Sequence, residues 1–257
     1  MANLVQSVDR ALVIVSALSG EKNGLAIGEL SNRIGLPKST THRLLNTLMH
    51  HGFVSRDTTN GNYCIGMKVV AIANEVLEQI DIRKVARGPL EDLVGEVKET
   101  VHLCTHNNGN AIYIDKVESD QTIRMISKVG RSVMMHCTGI GKILLAGMSN
   151  DQVETIIEKK GLPRFTENTI TDKEVLFQQL DEIRQCGYAI DEVEHEEGIA
   201  GIAAPIYDHN QEVIAAISVA GPVYRILNNQ VEDFLKRCLL ETANEISARL
   251  GYRINNY

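Results

Sequence analysis

No stretch of this 257-residue chain is apolar for long enough to cross a bilayer; runs such as Ala11–Val15 and Val213–Ala216 fall far short of the ~18 residues a spanning helix needs. Asp9 and Arg10 stand where a secretory signal would be apolar, so neither a membrane span nor an export signal is expected. The cysteines (Cys64, Cys104, Cys137, Cys186 and Cys238) are odd in number, scattered and never spaced C-x-x-C. That argues against a disulfide framework or a cysteine zinc knuckle and makes the cytosol the expected compartment. The sequence has no internal repeat, no low-complexity tract, no nucleophile elbow, no H-E-x-x-H and no dinucleotide loop. What it has is 44% apolar and 23% charged residues, a composition that excludes general disorder and leaves room for one large or two modest domains.

The net charge of −7 argues against nucleic-acid binding until it is divided along the chain. Residues 1–66 hold six basic groups against four acidic ones, a net +2, whereas the remaining 20 basic and 29 acidic groups give −9. A module able to approach a polyanion, joined to an acidic body that would not, fits this asymmetry.

Val5, Val8, Leu12 and Val15, with Leu18 as a candidate to extend the stripe, recur at helical spacing and predict an amphipathic helix to about Ser19. A second helix is expected over Ile27–Ile34, and a third runs from the Gly35-Leu36-Pro37 turn to about His50, with Leu44, Leu45 and Leu48 inward. The opposite face of the third helix carries Lys38, Ser39, His42, Arg43 and Asn46, side chains able to reach phosphates or base edges. Two β-favouring runs, 53–56 and 63–65, flank a turn containing Asn60-Gly61, a strong hairpin signal. Three helices and a hairpin in this order predict a winged helix-turn-helix. In that arrangement Lys38, Ser39 and Thr40 sit near a helix N-terminus that favours phosphate. Arg43 is the candidate for a base edge, while Ser39, Thr41 and Arg56 position the backbone. A solvated Arg43, or one paired with Glu29, is the competing reading.

Helices are expected over Gly66–Gln79 and 81–98, the latter broken near Pro89. Beyond them the periodicity becomes two, giving strands at 101–104, 111–114 and 122–127. Helices at 139–147, 150–160 and 172–185, strands at 188–193, 199–206 and 212–220, and a last helix at 229–250 complete an α+β body. Antiparallel strands with helices at the ends suggest a ligand-sensing domain of the GAF or PAS sort. The expected boundaries are 1–66 for the DNA-binding domain, 67–81 for a linker helix and 82–257 for the effector domain.

Thr138-Gly139-Ile140-Gly141 opens a helix, where the N–H groups of Gly139, Ile140 and Gly141 would attract a carboxylate; the competing reading is that the glycines only allow close packing. It is not a P-loop, because Ile143 follows the lysine and His136 replaces the upstream glycine. Asp191, after an apolar strand, is a candidate acceptor for a ligand hydroxyl. His102, Cys104 and His106 alternate on one strand face, but at ~3.3 Å per residue they spread too far to close on one metal. No cofactor is expected.

The block Ile27–Leu30, Gly35–Leu45 and Gly52–Val54, together with Gly130-Arg131, His136–Ala146 and Gly187–Gly198, resembles the IclR family of bacterial transcription regulators. Within it, Lys98–Leu103 and Ile246–Tyr252 are most similar to the ketodeoxygluconate regulators. The resemblance implies a homodimer or dimer of dimers that binds a palindromic double-stranded DNA operator, represses more often than it activates, and senses a small carboxylate. It also implies effector contacts at Gly139, Ile140, Asp191, Gly201, Ser218 and Ala220, with Ala220 standing where other members often offer a hydroxyl. Two alternatives remain open at this point. One is an enzyme acting on a keto acid with Asp191 and His195 as acid and base; the other is a winged helix that only mediates protein contacts.

Overall fold

The structure, a computed structural model, describes residues 4–79, 81–228 and 231–252. The chain divides into two compact units, Met1–Gln79 and Ile80–Tyr257. The first contains helices α1 (Gln6–Leu18), α2 (Ile27–Ile34) and α3 (Lys38–His50), a two-stranded antiparallel hairpin β1 (Val54–Arg56) and β2 (Tyr63–Ile65), and helix α4 (Met67–Gln79). Its core is Ile14, Leu18, Leu25, Leu30, Leu45, Val54 and Tyr63. Gly35 ends α2 in the left-handed region at φ 66°, a conformation cheap only for glycine. The first part of the expected stripe of α1 turns outward: Val5, Val8 and Leu12 are exposed and Val15 is half-buried, while Leu18 is buried together with Ile14. Two apolar arcs share that helix, and periodicity alone cannot say which one the neighbouring helices will cover.

The second unit begins with α5 (Asp81–Val97), followed by β3 (Thr100–Asn107), β4 (Asn110–Val117), β5 (Ser132–Val133), α6 (Gly139–Ala146), α7 (Asn150–Lys160), α8 (Lys173–Cys186), β6 (Ala189–Asp191), β7 (Ile199–Tyr207), β8 (Val213–Pro222), α9 (Val223–Ile226) and α10 (Glu232–Arg249). The strands form one antiparallel sheet in the order β5-β4-β3-β8-β7-β6. Helices α5 and α10 cover one face through Leu90, Leu93, Leu239 and Ile246, packed on Val101, Leu103, Ile202 and Ile217. Helices α6, α7 and α8 cover the other through Ile143, Leu144, Val153, Leu176 and Leu180, packed on Cys104, Ala203 and Ala216. Strand alternation therefore sends His102, Asp191, Gly201, Ser218 and Ala220 to the α6 side.

Three expectations are corrected. Residues 122–127 form no strand, because the outer edge of β4 is taken by 130–133, with Tyr113 N–H donating to Arg131 O at 3.1 Å and Gly130 N–H to Tyr113 O at 2.8 Å. Helix α5 continues through Pro89 without a break; the fully buried Leu90 beside it, packed in the same core as α10, stabilises the helix despite the missing donor. The strand expected over 188–193 is only three residues long, because the chain turns sharply after Asp191.

Helix α6 lies against the sheet at glycine distance. A Cβ on Gly141 would stand 2.3 Å from Met135 Cα, a backbone collision, whereas one on Gly139 would meet the Ala203 methyl at 3.2 Å. We expect Gly141→Ala to destabilise the second unit by about 1–3 kcal/mol through overpacking and Gly139→Ala to cost distinctly less. Thermal denaturation of both variants checks this, and equal melting temperatures would contradict it.

Candidate functional site

In the first unit the turn preceding α3 is set by Gly35, by Leu36 N–H donating to Ser31 O at 3.0 Å, and by Pro37 at the N-cap. Lys38, Ser39, His42, Arg43 and Asn46 are exposed along α3, and Thr40 is half-buried. Asn46 pairs with His42 along this face at 3.4 Å. The Arg43 guanidinium has no hydrogen bond or ion pair among the described residues; Glu29 does not reach it, and the acid that does pair nearby is Glu21, with Arg33, at 2.6 Å. Thr41 is corrected: it is fully buried and its hydroxyl donates to Pro37 O at 3.2 Å, so it braces the first turn of α3 and offers nothing to a groove. Arg56 on the hairpin donates from Nε to Gly61 O at 3.0 Å and lies over the Tyr63 ring. It shapes the wing and is exposed there. An open apolar groove of about 690 Å³ lies between α1 and α3, lined by Val8, Leu12 and Leu44.

The second unit has a partly open cavity of about 30 Å³ between the N-terminus of α6 and the sheet. Gly139, Ile140, Asp191, Gly201, Ser218 and Ala220 all line it, so residues far apart in the chain converge as expected. Thr138 caps α6: its hydroxyl accepts the Gly141 N–H at 3.1 Å and donates to Met134 O at 2.8 Å. The N–H groups of Gly139 and Ile140 keep no partner among the described residues and are left to face the cavity. Gly141 is therefore corrected. Its N–H is spent on the cap and its α-carbon on Met135, which is the packing role rather than the anion-binding one.

Asp191, 8% exposed, accepts the Glu194 N–H at 2.7 Å. Burial dominates its titration and pushes the carboxyl up to about 7, against the backbone hydrogen bond and the more distant Lys142, which act the other way. The turn that follows is held from several sides. Val193 sits at φ 63°, costly for a β-branched residue, while Thr166 Oγ1 donates to Val193 O at 2.6 Å and Thr169 Oγ1 to Glu194 O at 2.6 Å. Behind it Lys142, 1% exposed, donates to Glu194, to Ile190 O at 2.6 Å and to Gln179 at 2.8 Å.

Sequence reasoning missed most of this second layer, although a lone lysine inside the apolar run Gly139–Ala146 is a signal. It also left His102 and Tyr113 unassigned to the cavity they line. His102 bonds Ser127, His106 Nε2 accepts the Gly109 N–H at 2.9 Å, and Cys104 is buried in the apolar core, so the three alternating residues serve three separate purposes. His195 lines the same cavity as Asp191, with Nδ1 3.5 Å from Cys137 Sγ. That thiol is pushed up to about 12 by burial and is no nucleophile at neutral pH.

Comparison with known proteins covers the same two units. Residues 7–58 match the IclR helix-turn-helix domain, and residues 74–248 match the bacterial transcriptional regulator IclR C-terminal domain. The HTH-type transcriptional regulator KdgR of Escherichia coli is 35% identical over 249 residues, covering 96% of this chain and 94% of that protein. The crystal structure of the Thermotoga maritima IclR superposes with a TM-score of 0.77 at 32% identity, covering 96% and 99% of the two chains. An IclR homolog from Microbacterium hydrocarbonoxydans, complexed with 4-hydroxybenzoate, superposes with a TM-score of 0.82 at 25% identity, covering 95% and 98%. With both domains matched in order, the chain belongs to the IclR family of bacterial transcriptional regulators.

Proposed function

We propose that this regulator senses a small carboxylate bearing a neighbouring keto or hydroxyl group, a sugar-derived 2-keto acid being the class whose polar groups match those that line the α6 cavity. The observation that carries this reading is the pair of free N–H groups of Gly139 and Ile140 opposite the carboxyl of Asp191 and the hydroxyl of Ser218. A carboxylate seated at the start of α6 gains two donors and the helix dipole without needing a buried cation. Asp191 and Ser218 then read hydroxyls, and the Gly201 backbone lets the ligand approach. Ala220 supplies no hydrogen bond there, so the ligand needs no acceptor or donor at that point. The resemblance of Lys98–Leu103 and Ile246–Tyr252 to the ketodeoxygluconate regulators supports a sugar acid, and the 4-hydroxybenzoate complex of a relative supports a carboxylate with a second polar oxygen. The role is regulatory rather than enzymatic, cytoplasmic, and more in keeping with repression, given relatives named as repressors.

The polyanion partner is double-stranded DNA, with α3 in the major groove. Arg43 would meet a base edge, Lys38, Ser39 and Thr40 the phosphates, His42 and Asn46 the groove, and Arg56 the backbone from the wing. One module of charge +2 binds weakly, so a homodimer or dimer of dimers on a palindromic operator is the expected form.

Two outcomes are expected. Arg43→Ala should relax base preference at one position per half-site, costing about 1–3 kcal/mol there. Lys38→Ala should weaken all sequences alike and reduce the salt slope by about one for each phosphate it no longer neutralises. Gel shifts on selected and scrambled duplexes check both, and full affinity in both variants would remove α3 from the groove. For the effector, Asp191 is neutral below about pH 7 and ionised above it. An anionic ligand binds better beside the neutral form, so affinity for 2-keto-3-deoxygluconate should fall as pH rises through 7, by up to about tenfold per unit. Titration calorimetry at several pH values should show that slope in the wild type and a flat profile in Asp191→Asn; the same slope in both would free Asp191 from the site.

A further inference from the structure

The α6 cavity holds a polar group that this effector reading does not use. His102 is 1% exposed on β3, directly opposite Ser218 of β8, with its ring 4.9 Å from that of Tyr113. Its Nε2 lies 2.8 Å from Ser127 Oγ, while its Nδ1 has no partner among the described residues although the ring forms part of the cavity wall. Ser218, 5% exposed, likewise has a hydroxyl with no hydrogen bond among the described residues. Neither atom is sealed off in the protein interior, so two free hydrogen-bonding atoms stand side by side on adjacent strands and open to the cavity, and they mark a place for a ligand oxygen.

Resting on the carboxylate reading, we infer that His102 is a further effector-contacting residue, one that takes a neutral hydroxyl or keto oxygen of the ligand on Nδ1 and transmits the contact to residues 118–131 through Ser127. Burial first and the charge of Lys116 second push its imidazole down to about 4, so it meets the ligand uncharged, with one ring nitrogen donating and the other accepting. The two ends are thereby coupled. A ligand oxygen accepting from Nδ1–H requires Nε2 to accept from the Ser127 hydroxyl, and a ligand hydroxyl donating to Nδ1 requires the reverse.

Residues 118–131 contain no helix or strand, and Met125 within them forms part of the cavity wall. Besides His102, the segment is held by Lys116 donating to Ser127 O at 2.6 Å, by Arg225 donating to Ile123 O at 2.7 Å, by Ser119 N–H donating to Thr100 Oγ1 at 3.4 Å and, at its end, by the backbone bonds of Gly130 and Arg131 to Tyr113. A cavity of about 30 Å³ admits a water but no sugar acid, since ligand pockets usually run to roughly 300 Å³ or more. The wall at Met125 belongs to the segment without helix or strand and is the one we expect to yield to a ligand, and His102 joins it through Ser127.

Titration calorimetry of the full chain with 2-keto-3-deoxygluconate, 4-hydroxybenzoate and butyrate tests the inference. His102→Phe keeps a ring against Tyr113 and should weaken whichever of the two hydroxylated acids binds the wild type by roughly 5- to 50-fold, leaving butyrate unchanged. His102→Asn, with an amide near the Nδ1 position, should recover to within about threefold. Unchanged affinity in His102→Phe overturns the role of His102 alone, whereas failure of every acid to bind the wild type overturns the carboxylate reading beneath it. Hydrogen exchange at saturating ligand gives an independent measure that does not depend on the folding of the His102 variants. Ligand should protect residues 118–131 in the wild type, and Ser127→Ala should lose that protection; equal protection in both overturns the coupling.

Discussion

The effector domain depends on one buried cation. Lys142 rises from α6 into the protein interior and is met by Glu194, by the carbonyl of Ile190 and by Gln179, which together tie α6 to β6, to the turn after it and to α8. Burial pushes Glu194 up while Lys142 draws it back down, the usual contest in a desolvated pair. Losing one partner of such a pair typically costs about 3–5 kcal/mol, because the other charge is left buried alone. A simple stability gain is weak grounds for such a pair; its use here is positional. It fixes the strained turn at Val193, and that turn aims Asp191 into the cavity.

Close packing does the rest. With Gly141 against Met135 and Gly139 against Ala203, α6 lies near enough to the sheet for its first N–H groups to face Asp191 and Ser218 across a small cavity. Larger residues at either glycine would lift the helix and open the gap with side chain rather than ligand. Small residues on the sheet, Ala203 and Ala216 among them, serve the same end. The ligand site is thus a consequence of how tightly one helix is seated, and the polar groups in it are few and specifically oriented.

Much of this architecture was legible in the sequence, and the exceptions share a cause. Helix α2 occupies the expected residues, since Gly35 punctuates it sharply, and α7 coincides with expectation for its Ser149 capping box and terminal glycine. The residues that line the cavity were named by the resemblance, and only the Gly139–Gly141 helix start and Asp191 were also read from the residues themselves. What failed was everything decided by a neighbour. The outward stripe of α1, the strand that 122–127 does not form, and the continuity of α5 through Pro89 all depend on which partner covers which surface. Thr41 and Gly141 have the residue type for ligand contact but are taken by local capping and packing. Lys142 shows the reverse: a residue type expected on the surface is only 1% exposed because three oxygens converge on it.

The two units act as one regulator only if effector and DNA binding are linked, and linkage is reciprocal and bounded by the differential affinity of the ligand for the two states. Fluorescence anisotropy of the full chain on a palindromic duplex selected from random sequence, with and without 2-keto-3-deoxygluconate, measures it directly. We expect salt-dependent binding that prefers the selected duplex over a scrambled one and shifts by about 5- to 150-fold when the acid is saturating. Equal affinity for both duplexes, or an affinity for the selected duplex that the bound acid leaves unchanged, would contradict the assignment of this chain as an effector-controlled DNA-binding protein.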